Sequence, residues 1–112
     1  KLTKNNLINS AAHITGGGLI ENVERSIPKN LSINIDLSKI KTKYIFKWLK
    51  QNNISDKEML STFNCGIGFC LIVEKNNIDK IKKYFTKNYM PYEIGYISKG
   101  RKRFYLSKNI QW

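Results

Sequence analysis

The sequence predicts an α/β protein of the α+β type, a mixed β-sheet covered by helices on one face. Three observations predict it. Residues 31–37 alternate apolar and polar side chains without a break, the period of a strand with one buried face. Residues 43–51 instead carry Ile45, Phe46, Trp48 and Leu49 at helical spacing among lysines. Turn-forming residues at short intervals cut the remainder into pieces of similar length, so strands and helices interleave. With 112 residues, of which 41% are hydrophobic, the chain makes one domain, residues 1–112, around a single modest core, and wholesale disorder is excluded.

The opening, residues 1–6, has neither an initiator Met nor an apolar signal core and is expected to be a processed or truncated beginning of something longer. Ala11-Ala12-His13-Ile14 then forms a short apolar approach to Thr15-Gly16-Gly17-Gly18. Three successive glycines mark a backbone that must bend or be approached closely. Leu19, Ile20 and Val23 follow at helical spacing until Ile27-Pro28 ends the run, which predicts a glycine-opened helix. After the strand at 31–37 comes the amphipathic helix at 43–51, whose apolar side is expected to pack on the core. Ser55-Asp56-Lys57-Glu58 fits a capping box, a serine acceptor with a glutamate three residues on, and predicts a short helix through Met59 and Leu60.

Thr62-Phe63-Asn64-Cys65-Gly66-Ile67-Gly68 leads into residues 69–73, a continuous apolar run suited to a central strand buried on both faces. Ile78, Ile81, Tyr84 and Phe85 repeat at helical spacing and predict a further helix. Residues 92–98 and 103–107 read as strands flanking Lys99-Gly100-Arg101-Lys102, a hairpin-like basic turn.

A net charge of +12 ordinarily points first to nucleic acid. The kind of charge argues otherwise. Only Arg25, Arg101 and Arg103 are arginines, whereas lysine, asparagine and isoleucine are abundant together, the mark of compositional drift rather than of a surface built for a polyanion. Cys65 and Cys70 lack the clustered Cys and His spacing of a zinc site and are expected to be reduced, buried thiols of a cytosolic protein. No apolar stretch reaches the length of a membrane span.

Chemistry concentrates at two places. Amides at a helix N-terminus that opens on glycines can cradle an anion, typically phosphate, although the same glycines also serve a purely conformational turn, and their spacing matches neither a Walker A loop nor the dinucleotide fingerprint. His13 is the only histidine; beside an apolar segment it is either a hydrogen-bonded structural residue or a ligand contact. Asn64, before two glycines, either presents its amide to a ligand or caps its own turn.

These residues carry a resemblance. Ala12-His13-Ile14-Thr15-Gly16-Gly17-Gly18-Leu19-Ile20-Glu21-Asn22, followed by Arg25 and Pro28, resembles the signature of the phosphoribosylformylglycinamidine cyclo-ligase (AIR synthetase) family in its C-terminal domain. Ile45-Phe46-Lys47-Trp48-Leu49, Glu58-Met59, and Thr62-Phe63-Asn64-Cys65-Gly66-Ile67-Gly68 resemble the same family in the same order, and Ile94-Gly95-Tyr96-Ile97 its closing strand. Two departures are local: Glu24 stands where the family commonly has proline, and Ser61 where an arginine often precedes Thr-Phe-Asn.

The resemblance implies an AIR-synthetase C-terminal-domain-like fold and an ATP-dependent ring closure in de novo purine synthesis. In that reaction the formyl oxygen of formylglycinamidine ribonucleotide takes the terminal phosphoryl group of ATP, the substrate's own nitrogen attacks that carbon, and phosphate departs as the aminoimidazole ring closes. Such chemistry relies on positioning and charge stabilisation. The resemblance further implies that Gly16, Gly17 and Gly18, with Thr15, hold a phosphate of the ribonucleotide, that His13 and Asn64 line the cleft, and that Asn22 and Arg25 support the loop. It assigns no catalytic residue and no metal ligand here. ATP and Mg2+ would be bound mainly by an N-terminal domain that this chain lacks, the full-length enzyme would be a cytoplasmic homodimer, and the segment alone would be inactive.

Two other classes compete. Selenophosphate synthetase, thiamine-monophosphate kinase and formylglycinamidine ribonucleotide synthetase share the fold with other substrates, and the Phe63-Asn64-Cys65-Gly66-Ile67-Gly68 block favours the cyclo-ligase among them. A small basic RNA- or DNA-binding module would use Lys99 to Arg103 with nearby Tyr96, Phe104 and Tyr105 as phosphate and stacking contacts. Charged turns of this kind are usually only solvated, so nucleic acid is the less favoured partner.

Overall fold

The computed structural model describes residues 1–101 and 103–112, so Lys102 of the expected basic turn lies outside the described residues. The elements follow one another as β1 (Ser10–His13), α1 (Gly18–Glu24), β2 (Leu31–Asp36), α2 (Tyr44–Lys50), α3 (Asp56–Thr62), β3 (Phe69–Ile72), α4 (Ile78–Lys82), β4 (Gly95–Lys99) and β5 (Phe104–Ser107). They form an α+β fold with mixed strand pairing, as expected, but the strands divide between two sheets. β1 and β3 pair antiparallel with His13 opposite Phe69, while β2 lies between β4, antiparallel, and β5, parallel.

The alternation in β2 holds with one exception. Ile33 and Ile35 are buried against the core and Asn34 and Asp36 alternate with them on the other face, but Ser32, on that same other face, is also buried, with Gly100 lying over it. The core continues through Leu19 and Val23 of α1, Met59 and Leu60 of α3, and Ile14 just after β1. The Ser55 cap also forms, its Oγ accepting from the Glu58 amide at 3.2 Å, which satisfies an amide left over at the helix start.

Three expectations are corrected. α2 forms, but only Phe46 and Leu49 pack against the core, whereas Trp48 is 51% exposed and Tyr44 and Ile45 are exposed beside it. Phe46 and Leu49 are three apart, as are Ile45 and Trp48, so the two pairs look out at different angles from the helix and only one meets the core. β3 is not a central strand. Among the described residues its partner is β1 alone, and Phe69, 59% exposed, stacks on His13 with ring centroids 5.5 Å apart.

β4 and β5, finally, do not form a hairpin. They flank β2 on opposite sides, so the basic segment between them crosses over the start of β2, tied by Gly100 N–H to Asn30 O at 3.2 Å and Ile33 N–H to Arg103 O at 2.7 Å. Arg103 reaches Glu24 at 3.3 Å and so joins α1 to the entry of β5. Glu24, one of the two departures from the family pattern, thereby has a partner. Among the described residues no helix is long and apolar enough to cross a membrane.

Asp36 closes β2. Lys108, just after β5, donates to it at 2.7 Å, and the Ser38 hydroxyl and amide donate to its other oxygen. The Lys108 hydrogen bond first, then Ser38, pulls the carboxyl from its ordinary 3.8 down to about 2. A carboxylate whose pKa is depressed by folding stabilises above its unfolded value and loses that contribution as pH falls through its folded value. NMR titration should therefore place the Asp36 midpoint near 2. In Lys108→Ala the midpoint should rise toward 3.8, and the stability difference between the two proteins should vanish on acidification through that window.

Candidate functional site

β1 delivers the chain to the glycine loop, and Ile14 N–H bonds Gly68 O at 3.0 Å, holding the two predicted motif loops side by side at their bases. The three glycines then do different things. Gly18, at φ +64°, lies so close to α3 that a Cβ there would overlap the carbonyl of Leu60. Gly17, at φ +89°, is the N-cap of α1, a left-handed conformation costly for other residues. Gly16 has open space around the position of a Cβ, so neither packing nor a left-handed backbone demands glycine there.

Asn22 is the clasp of the loop. Its Nδ2 donates to Gly16 O at 3.1 Å and to Gly18 O at 2.7 Å, while its Oδ1 accepts from Arg25 at 3.2 Å. Arg25 also meets Glu21 at 3.3 Å, an exposed pair one helical turn apart and worth little by itself. Glu21 went unnoticed as a site residue in the sequence. Its carboxylate folds back over Gly17, where it would collide with a Cβ, and stands at the positive end of α1. An anion coming to the loop must turn it away, and the separation of four residues from both Gly17 and Arg25 was the available signal.

On the other side, Thr62 ends α3 and the backbone turns sharply, with Cys65 at φ +50° and Gly66 at φ +96°. Asn64 Oδ1 accepts from Gly66 N–H at 2.9 Å, so the carbonyl end of its side chain caps its own turn and what it can offer a ligand is the Nδ2 amide. Cys65 points inward and donates from Sγ to Met59 O at 3.4 Å. Burial, with the Asp56 charge second, pushes its thiol up to about 11, and burial does the same to Cys70. Both are free thiols, unsuited to nucleophilic work at neutral pH.

Between the two loops lies a hollow of about 230 Å³, lined by Ile14, Thr15, Phe46, Thr62, Phe63 and Asn64. Thr15 and Asn64, singled out in separate stretches of sequence, thus share one wall of space. Phe46 and Phe63, ring centroids 6.5 Å apart, form its apolar side. His13 is not in that lining but one residue away on β1, stacked on Phe69. Among the described residues no group of three His, Cys, Asp or Glu could hold a metal ion, and a hollow of this size does not fit a nucleoside triphosphate with its Mg2+, so no step through either group is derived for this chain.

Residues 1–107 match the family model described as AIR synthase related protein, C-terminal domain. The chain is 42% identical over 95 residues to a phosphoribosylformylglycinamidine cyclo-ligase of Fusobacterium nucleatum, covering 83% of this chain and 28% of that protein. It is 41% identical over 113 residues to the enzyme of the same name from Prochlorococcus marinus, covering 98% of this chain and 32% of the relative. It is also 46% identical over 77 residues to the trifunctional purine biosynthetic protein adenosine-3 of Chironomus tentans, covering 68% of this chain and 6% of that protein. The chain thus spans about a third or less of the curated relatives it matches.

The division of labour among the glycines can be measured. Gly18→Ala should cost about 2 kcal/mol or more, because a left-handed backbone and a backbone collision with Leu60 act together. Gly16→Ala should leave the thermal midpoint unchanged within about 2 °C. Thermal unfolding followed by circular dichroism checks both, and equal losses would show that the loop is a purely conformational device.

Proposed function

Because the chain belongs to the family of AIR synthase related protein C-terminal domains, we propose that it serves as the C-terminal part of a phosphoribosylformylglycinamidine cyclo-ligase. In that role it takes part in the ATP-dependent closure of formylglycinamidine ribonucleotide to aminoimidazole ribonucleotide. The observation that carries the proposal is the meeting of Thr15 and Asn64, from two separate family-like motifs, at one hollow beside a glycine loop with room for a ligand at Gly16.

The ribonucleotide phosphate is held by the backbone amides of Thr15, Gly16 and Gly17, while the Gly18 amide donates to Thr15 O at 3.1 Å and closes the loop behind them. When it arrives, Glu21 turns outward, and the Arg25 guanidinium that pairs with it becomes available to the phosphate. Asn22 supports the loop through its bonds to two of the loop carbonyls. Asn64 offers its Nδ2 amide, and His13 lies beside the hollow as an orienting group. None of these is assigned proton transfer. What this chain supplies is orientation and the exclusion of water by Phe46 and Phe63.

The single domain, residues 1–112, would then work with an N-terminal ATP-binding domain of the same enzyme, which holds ATP and Mg2+ and forms a homodimer in the cytoplasm. The apolar groups that the fold leaves uncovered, Tyr44, Ile45, Trp48 and Phe69, support contact with such a domain.

In the longer enzyme that carries this segment, Gly16→Leu should raise KM for the ribonucleotide by about tenfold or more, while KM for ATP stays within about twofold. Steady-state kinetics of ATP-dependent cyclisation provides the check. Equal shifts for both substrates, or none, would remove the phosphate from this loop, and failure of the unaltered enzyme to cyclise the ribonucleotide would remove the function.

A further inference from the structure

α2 is weakly supported for the position it holds. None of its seven residues is buried, and among the described residues no strand or other helix runs close alongside it. Phe46 and Leu49, which do reach the core, sit three residues apart and give the helix one line of contact about which it could rock. Yet Phe46 lines the hollow beside the glycine loop and faces Phe63, which follows α3. A tilt of α2 would therefore disturb little core packing and move a wall of the hollow directly.

Polar contacts hold both ends of this helix. At its exit, Lys50 Nζ donates to Ile54 O at 2.7 Å and lies 3.1 Å from Asp56 Oδ1. Asp56 opens α3, and the same Oδ1 accepts from the Trp112 indole N–H at 3.0 Å. The indole is a donor only, and a carboxylate oxygen has the lone pairs to serve both it and the lysine. At the entry of α2, Thr42 Oγ1 donates to Gln111 O at 3.2 Å. Residues 110–112 thus form a strap across both ends, starting from buried Ile110 and ending on Trp112, which packs against the core. The strapped entry also touches the turn after α3. Gly66 lies so close to Lys41 O and Thr42 that a Cβ would crowd them, and the Gly66 amide is the one that Asn64 accepts.

We propose that Trp112 is a positioning residue of the ribonucleotide site: through Asp56 and Lys50 it fixes α2 against the start of α3, and so sets the spacing of Phe46 and Phe63 across the hollow. The inference rests on the cyclo-ligase reading of that hollow and adds to it a residue that is not in the lining. A lysine and a carboxylate paired alone at a half-exposed position would hold a helix only loosely. The indole N–H gives the carboxylate a second, half-buried partner anchored to the core, which turns a loose pair into a fixed point. Alignment of a bound substrate is sensitive to small displacements of its walls, so the effect reaches binding before it reaches folding.

Two variants test it. Trp112→Phe keeps a ring and deletes the N–H, and Lys50→Met keeps the length of the side chain and deletes its charge. In NMR spectra of the 112-residue chain both should shift the ring protons of Phe46 and Phe63 and the side-chain amide of Asn64 in the same direction, while the amides of β2, β4 and β5 stay in place. In the longer enzyme that carries this segment, each should raise KM for the ribonucleotide by about fivefold and leave KM for ATP within about twofold. The double variant should be little worse than either single one, because both act through one carboxylate. Ile81→Val, which trims a buried side chain of α4 outside the core cluster, should lower the thermal midpoint and leave both KM values alone. The proposal is overturned if the Phe46, Phe63 and Asn64 signals do not move, if KM for the ribonucleotide rises no more than KM for ATP, if the two single effects multiply, or if Ile81→Val raises KM as much. If the unaltered enzyme does not cyclise the ribonucleotide, the cyclo-ligase reading fails, and the Phe46, Phe63 and Asn64 shifts alone decide whether Trp112 positions the hollow.

Discussion

The constraint on which the candidate site depends is the contact of Gly18 with the carbonyl of Leu60. It seats the start of α1 directly on the end of α3, and no side chain larger than hydrogen fits between them. Leu19 and Met59, both almost wholly buried, follow from that seating because each is the neighbour in sequence of a residue in the contact. The placement of the two loops follows as well. One loop enters α1 and the other leaves α3, so bringing those helix ends together sets Thr15 and Asn64 around the same hollow.

Small polar contacts then fix each loop without filling the space between them. Asn22 clasps the glycine loop from inside its own helix, and Asn64 with Cys65 pins the turn after α3. Glu21 adds a feature of different sign. A carboxylate lies over a loop otherwise arranged to present amides, and Arg25 beside it can pair with either that carboxylate or an incoming anion, but not fully with both.

Local pattern carried much of this fold and stopped where coverage by distant chain decides. The unbroken alternation of residues 31–37, the Ser55 cap and the glycine-opened helix are properties of a few adjacent residues, and each appears where expected. Whether an apolar side chain is buried depends instead on what lies across from it. Trp48 and Phe69 have the chemistry of core residues, yet both stay about half exposed, Phe69 with only His13 stacked on it among the described residues, so the expected burial of α2 and β3 did not follow. The basic turn before β5 looked like a hairpin because turn chemistry is local, whereas the choice of partner strand is made by inward-facing Phe104 and Ile33 far apart in sequence. At the site, glycines and Asn64 were legible as types. The separate task of each glycine was not, because it rests on Leu60 and Glu21 coming near in space.

The central claim is that the glycine loop and the turn after α3 form one ligand site. Backbone amide NMR of this chain, titrated with formylglycinamidine ribonucleotide, tests it most directly. The account predicts that the amides of Thr15, Gly16, Gly17 and Asn64 shift together along a single saturation curve, with the Asn64 side-chain amide moving on the same curve. Shifts confined to one loop, or two curves with different midpoints, would contradict it.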